Sequence, residues 1–329
     1  MRWTGRGGAG GIHFPTSSVL RSMPFPPQLY LIGTQKGGTS FLAELLAEHP
    51  DVCLAHPKEP NYFSSHWEKG LDHYRTQFAR PDARVLLDAS TSYAAAPLES
   101  TDTTAAIAAS RYAGVPARVA AAAPKARFVY VLRDPVRRAW SSYWHNVRVG
   151  SEDRPLRTAI RENSFYLRTG RYLEQLQLWW KHFPKDRFHV LLFEDLVQNP
   201  TGHANDVLRF AGLDPVAEFA SERPRNQTFA YTPAAARLVR LIRAAGGRSD
   251  RLIKAVKPLL PRKVVDKIAG SIVRPVPSLD AEDEAWMRDY FRTPNRRLAE
   301  ELGLDLGRWT SAATAPAKTP TASLIEQDG

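Results

Sequence analysis

The stretch Leu29–Ser40, LYLIGTQKGGTS, decides the reading of this chain. Leu29 to Ile32 form an apolar run suited to a buried strand. Gly33 opens a turn that carries Lys36, and Thr39 and Ser40 begin a helix predicted over Thr39–His49. A strand that turns through glycines into a helix gathers free backbone N–H groups and the positive end of the helix dipole at one point. Lys36, Gly37, Gly38, Thr39 and Ser40 therefore form a receptor for phosphate or sulfate. The spacing is not that of the nucleoside-triphosphate loop, G-x-x-x-x-G-K-[ST], where the lysine follows the second glycine. Here Lys36 precedes the Gly37–Gly38 pair, which argues against the β/γ-phosphate of ATP as the anion held.

Further short apolar runs follow at Val85–Asp88, Phe128–Leu132 and Phe188–Phe193, each too short for a buried helix and fit for a parallel core strand. Between them helices are predicted to end at Val119–Ala123, to span Pro135 to about Val149 and Gly170–Phe183, and to follow over His203–Ala211. Pro135 suits the first turn of its helix. Leu173, Leu176, Trp180 and Phe183 share one face of theirs. Strands that alternate with helices predict an α/β fold, a parallel central sheet flanked by helices in a P-loop-like three-layer sandwich. Ligands of such sheets sit beyond the carboxyl ends of the strands. The Gly33–Ser40 turn and Arg133 both lie there and are expected to face one crevice.

The chain has 329 residues, 43% of them hydrophobic, and a formal net charge of +11. That is enough for one large α/β domain. The charge favours acidic partners such as polyanions, anionic headgroups or acidic small molecules. Most of the excess lies between Thr228 and Arg274, which holds 11 Lys/Arg against 2 Asp. Within it Pro233–Ile268 reads as basic amphipathic helices, with three readings: a solvated face, a dock for an anionic acceptor, or a peripheral membrane contact. Residues 1–27 read as a flexible leader without a secretory h-region, and Met23 is an alternative start. Asp280–Leu302 is a further helix, and 310–329 a disordered tail. Cys53 is the only cysteine, read as a buried structural thiol. The chain is expected in the cytoplasm, and no metal-ligand spacing stands out.

In VLRDPVRRAWSSYWHN, Val131–Asn146, Arg133 leaves a strand end and Ser141 lies two turns into the next helix. An arginine fork and a hydroxyl make a receptor for a phosphate monoester. The competing reading pairs Arg133 with Asp134 or a helix end. Two anion sites on one crevice imply a ligand with two separated anionic groups. The two segments resemble the 5′-phosphosulfate loop and 3′-phosphate motif of sulfotransferases that use 3′-phosphoadenosine-5′-phosphosulfate (PAPS). TQKGGTS matches [TP]-x-K-x-G-T-[ST]. Arg133-Asp134-Pro135 with Arg138, Ala139, Ser141 and Tyr143 matches R-D-P-x-x-R-A-x-S-x-Y. KEPNYF, Lys58–Phe63, resembles the K-E-x-x-[YF]-F element of the heparan-sulfate branch, and FEDL, Phe193–Leu196, is common in the family. Arg274 to Asp280 resembles R-x-x-P-x-[IL]-D. The lysine that usually precedes this arginine in the family's K-G-R loop is missing, so only Arg274 is carried over as a cofactor-binding residue. The resemblance covers residues 28–309.

The resemblance implies a sulfotransferase with PAPS as donor and no obligatory metal. Lys36 would stabilise the leaving phosphate oxygen. The amides of Gly37 to Ser40 would hold the 5′-phosphate, and Arg133 with Ser141 the 3′-phosphate. Glu59 is the candidate base; its plain alternative is an ion pair with Lys58 or Lys36. His56 and His66 are rival bases. Tyr166 and Tyr172 either stack on adenine or pack in the core, where Trp179 and Trp180 are expected. The acceptor is a small molecule or glycan, open between carbohydrate, lipid-linked sugar and secondary metabolite, with carbohydrate favoured by the heparan-like elements. Its specificity is expected from loops around Ser64–Phe78 and Thr91–Val115 and from the basic segment. A nucleic-acid partner is not expected. The readings set against this one are a P-loop-type ATP-dependent kinase and a non-catalytic polyanion-binding protein.

Overall fold

The computed structural model describes residues 25–98, 111–220, 229–231 and 273–309. The basic helices expected over Pro233–Ile268, the tail from 310, Met23 and nearly all of the leader lie outside the described residues. At the leader's end, Phe25 packs edge-on against Tyr74, with ring centroids 5.5 Å apart.

In chain order the elements are β1 (Leu29–Gly33), α1 (Thr39–Ala47), β2 (Val52–Leu54), α2 (Gly70–Arg75), β3 (Val85–Asp88), α3 (Val115–Ala122), β4 (Arg127–Leu132) and α4 (Pro135–Arg148). Then come α5 (Leu156–Glu162), α6 (Phe165–Arg168), α7 (Tyr172–Trp180), β5 (Phe188–Leu192), α8 (Phe193–Gln198), α9 (Pro200–Phe210), β6 (Phe229–Tyr231), β7 (Val273–Pro275) and α10 (Ala281–Leu302). A wide turn over Tyr62–His66 and a tight helical turn over Thr91–Ala94 lie between them.

The first five strands form one parallel sheet in the order β2-β3-β1-β4-β5. Each expected strand is present. β2, which holds the buried Cys53, was not foreseen; three residues give no periodicity to read. The side-chain period of two divides the core. Tyr30, Ile32, Phe128 and Tyr130 face Leu173, Leu176 and Trp179 of α7 and Leu298 of α10. Leu29, Leu31, Val129 and Val131 face Phe41, Leu42, Leu45 and Leu46 of α1 and Val207 and Leu208 of α9. Burial on both faces is why the strands read as unbroken apolar runs. The outcome is the expected three-layer α/β sandwich, and β1, turn and α1 place the loop at the carboxyl edge of its middle strand.

A second, two-stranded antiparallel ribbon joins β6 to β7, with Ala230 opposite Arg274. It runs beside α4 and brackets the basic segment.

Candidate active site

The turn after β1 is held by its own backbone. The Thr34 N–H donates to the Val131 carbonyl at 2.8 Å, and the Gly37 N–H donates to the Thr34 carbonyl at 2.9 Å. The Gly37 amide, expected to face an anion, is therefore committed inside the turn. A Cβ on Gly37 would lie 2.6 Å from Thr34 Cγ2, so the position is closed to larger residues. Gly38 caps α1 in the left-handed region at φ 85°, with no side-chain cap. A Cβ there would strike the Phe193 ring at 2.5 Å. The first-turn amides of α1, those of Thr39 and Ser40 among them, have no acceptor within the helix. They lie at the positive end of its dipole and fit an anion.

Arg133 joins the second motif to the first. Its Nη1 donates to the Lys36 carbonyl at 2.8 Å, which fixes a non-glycine residue held at φ 68°. Its guanidinium lies 4.8 Å from the centre of the Phe193 ring. Phe193, first residue of FEDL, thus sits under the glycine turn and against the arginine. Tyr172 Oη donates to the Arg133 carbonyl at 2.7 Å. The pairing of Arg133 with Asp134 does not form. Asp134 caps α4 through the Val136 N–H at 3.0 Å and takes Arg288 of α10 at 3.0 Å instead. Ser141 is buried on α4. The next residue, Ser142, donates to Gln35 Oε1 at 2.9 Å, which ties α4 to the turn.

Beside Gln35 opens a polar cavity of about 190 Å³, lined also by Glu59, Thr91, Ser92, Arg111 and Phe165. Glu59 therefore stands on the same cavity as the anion turn. Thr91 Oγ1 donates to its carboxylate at 3.1 Å. Lys58 Nζ stands 3.4 Å from Glu59 Oε1 and 3.4 Å from Thr39 Oγ1, bridging the carboxylate to the start of α1. The ion pair with Lys58 forms, then, while Glu59 also lines the cavity. His145 of α4 lies near Lys36. Burial first, then the Lys36 and Arg148 charges, push its pKa down to about 3, so it is neutral. Arg148 has only donors, so its 3.0 Å contact makes His145 Nδ1 the acceptor and leaves the proton on Nε2.

The pattern that defines the Sulfotransferase family matches residues 27–218. The chain belongs to the sulfotransferase family. It is 27% identical over 315 residues to human (Homo sapiens) heparan sulfate glucosamine 3-O-sulfotransferase 6, covering 92% of this chain and 78% of that one. It is 31% identical over 201 residues to the human 3-O-sulfotransferase 3B1, covering 57% of this chain but 46% of that one. The crystal structure of a sulfotransferase from Alicyclobacillus acidocaldarius superposes with a TM-score of 0.60 at 19% identity, over 88% of this chain and 100% of that one. That likeness establishes the shared fold. Membership decides for an enzyme over a non-catalytic polyanion binder and gives no support to the kinase alternative. The family implies PAPS as donor.

The sulfotransferase brings together Lys36, the Gly37–Ser40 turn, Arg133 and Glu59. Arg274 stands exposed on the ribbon beside α4, its backbone paired opposite Ala230 and its side chain without a hydrogen-bond or ion-pair partner among the described residues. His56 and His66 do not line the cavity. Tyr166 and Tyr172 are core residues, at 0% and 1% exposure, as is Trp179, while Trp180 is half-buried. Sequence reasoning missed Gln35, Lys58, Phe193 and His145 as site residues. The first two lie inside motifs already singled out, Phe193 opens FEDL, and His145 falls one turn after Ser141 on the same helix.

Proposed function

We propose that this sulfotransferase moves a sulfuryl group from PAPS to a hydroxyl or amine of a carbohydrate or glycoconjugate. One observation carries the reading: the 2.8 Å bond from Arg133 to the Lys36 carbonyl, which puts both anion motifs on one crevice. Gly37 and Gly38 pack too closely on Thr34 and Phe193 to carry a Cβ, which keeps the turn tight, and the first-turn amides of α1 stand ready for a phosphate. These residues fit the donor. When bound, it supplies the sulfuryl group and a phosphate that leaves with the bonding pair.

Lys36 stabilises the negative charge gathering on the bridging oxygen. The amides of Gly38, Thr39 and Ser40 hold the 5′-phosphate, and Gly37 keeps the turn tight. Arg133, Ser141 and Arg274 hold the 3′-phosphate side and so fix register. Glu59 takes the acceptor proton across the cavity. Lys58 and Thr91 hold the Glu59 carboxylate in place, and His145, neutral, lies near the Lys36 ammonium. A cavity of about 190 Å³ is smaller than the ~300–1,000 Å³ of a drug-sized pocket. It suits one ring of a longer acceptor, with Arg111 able to meet an anionic group on it. The relatives named for heparan sulfate support the carbohydrate class. Turnover needs no metal. The protein works in the cytoplasm, and the basic segment gives peripheral contact with anionic membrane.

The test is a screen of sugar and glycan acceptors with radiolabelled PAPS, with and without EDTA. Label entering a carbohydrate at equal rates in both arms is the expected result. Label entering only non-carbohydrate acceptors refutes the acceptor class, and loss of transfer in EDTA refutes the metal-free mechanism. Titration calorimetry adds a control: adenosine 3′,5′-bisphosphate should bind without magnesium, and ATP poorly.

A further inference from the structure

One buried carboxylate has no part in the roles above. Asp88 ends β3 fully buried, opposite Tyr30 in the β1–β3 pairing. Its Oδ1 accepts from Ser90 Oγ at 2.5 Å. Its Oδ2 accepts from Tyr74 Oη at 2.5 Å and from Tyr93 Oη at 2.7 Å. Burial pushes its pKa up to about 6, although the three hydroxyl donors pull it down. Ionised at neutral pH, such a group works against the folded state. Residues that break a local rule in this way concentrate at functional sites.

What lies one bond further out gives the reason. Ser90 Oγ accepts the Asn61 N–H at 2.9 Å, and Tyr93 Oη accepts the Phe63 N–H at 3.2 Å. A hydroxyl has one proton to give. By drawing both protons inward, the Asp88 carboxylate leaves the outward lone pairs free for these two amides. Asn61 sits at φ 50°, and its Nδ2 donates to the Glu59 carbonyl at 3.0 Å. Its Oδ1 takes the proton of Ser92 at 2.6 Å. Thr91, next to Ser90, holds the Glu59 carboxylate itself.

We propose that Asp88 is the positioning residue for Glu59: through Ser90 and Tyr93 it sets the direction of the hydroxyls that fix the 59–63 loop, without meeting donor or acceptor. An amide at this position reverses one of those directions. Its NH2 faces a hydroxyl that must then accept inward and give its proton outward, and the outward neighbour of Ser90 or Tyr93 is an N–H that cannot accept. The inference rests on the reading of Glu59 as the base.

The experiment is a double-mutant cycle on kcat with the full chain. Asp88→Asn is expected to lower kcat about 10- to 100-fold, the scale of a misplaced catalytic group. Its dissociation constant for adenosine 3′,5′-bisphosphate should stay within about two-fold of wild type, since the donor side is untouched. Ser90→Ala keeps the carboxylate, removes one relay, and should act in the same direction; it serves where Asp88→Asn fails to fold. Combined with Glu59→Gln, either variant should show no loss beyond that of Glu59→Gln alone. Losses that multiply overturn the positioning role and leave Glu59 as base. Wild-type kcat in both relay variants, or a bisphosphate affinity that falls in step with kcat, overturns it as well. A fully active Glu59→Gln variant removes the base assignment itself, a separate failure.

Discussion

Gly38→Ala tests the junction of the two anion motifs with one methyl group. At φ 85° an alanine bears left-handed strain of roughly 1–2 kcal/mol. Its Cβ would also sit 2.5 Å from Phe193 Cδ2 and 2.7 Å from Cε2. Forcing a methyl into packed space adds about 1–3 kcal/mol. The variant should therefore lose roughly 2–5 kcal/mol of stability. Urea unfolding, with an unchanged m-value, gives this directly. The ring cannot move without disturbing Arg133, whose guanidinium lies 4.8 Å from its centre, so affinity for adenosine 3′,5′-bisphosphate should fall too. Adding Phe193→Ala removes the clash and leaves the backbone strain. The cycle should thus yield a coupling of about 1–3 kcal/mol in favour of the pair. Wild-type stability and affinity in Gly38→Ala would show that the ring does not lie where the turn requires a glycine.

Four further outcomes are expected. Lys36→Ala should cut kcat on the order of 10²-fold or more, as removal of a donor to developing charge does; steady-state kinetics check this. Arg133→Ala should weaken bisphosphate binding by about 2–3 kcal/mol and abolish the preference for a ligand carrying the 3′-phosphate, measured by calorimetry. Arg288→Ala leaves the largely buried Asp134 carboxylate without its partner and should cost about 3 kcal/mol in urea unfolding. In acid, two groups oppose each other. His145, at about 3 against an ordinary 6.5, binds its proton more readily unfolded, so it lends stability that is lost as pH falls from 6.5. Asp88, at about 6 against 3.8, binds its proton more readily folded, so its effect is to lower stability as pH rises from 3.8 to 6. Asp88→Asn should therefore lose stability more steeply than wild type between pH 6.5 and 4, and His145→Gln less steeply, read from urea midpoints across that range.

The parts of the molecule legible in the sequence are those whose signal is local. β1, β3, β4 and β5 announce themselves because strands covered on both faces read as nearly unbroken apolar runs, with Arg127, His189 and Asp88 the few exceptions. Pro135 marks the start of α4 because a first-turn proline acts within the turn that it opens. Arg133 is readable because it directly follows β4, and Lys36 because it stands in the short turn between β1 and α1. β2 and the ribbon are not readable: three residues carry no period, and β6 finds its partner more than forty positions away. The cavity was equally hidden. Gln35, Glu59, Thr91, Arg111 and Phe165 come from separate stretches, and only the folded sheet edge gathers them. The Gly37 amide shows the reverse error, a local motif read too generously: its donor turns back to Thr34 because the turn needs it first.

The antiparallel ribbon has a consequence for how this chain can change. Departing at Tyr231 and coming back at Val273, the backbone starts and finishes its excursion on neighbouring strands, which lie about 5 Å apart in any sheet. Everything between those two points is a closed loop hung on a fixed clasp. Its length is almost free: replacing the 41 intervening residues with a four-residue turn changes the closure entropy by only ~2 kcal/mol, in favour of the shorter form. The same excision would take a net eight positive charges with it. Charge and reach can therefore be exchanged as one cassette, while the ribbon beside α4 stays paired.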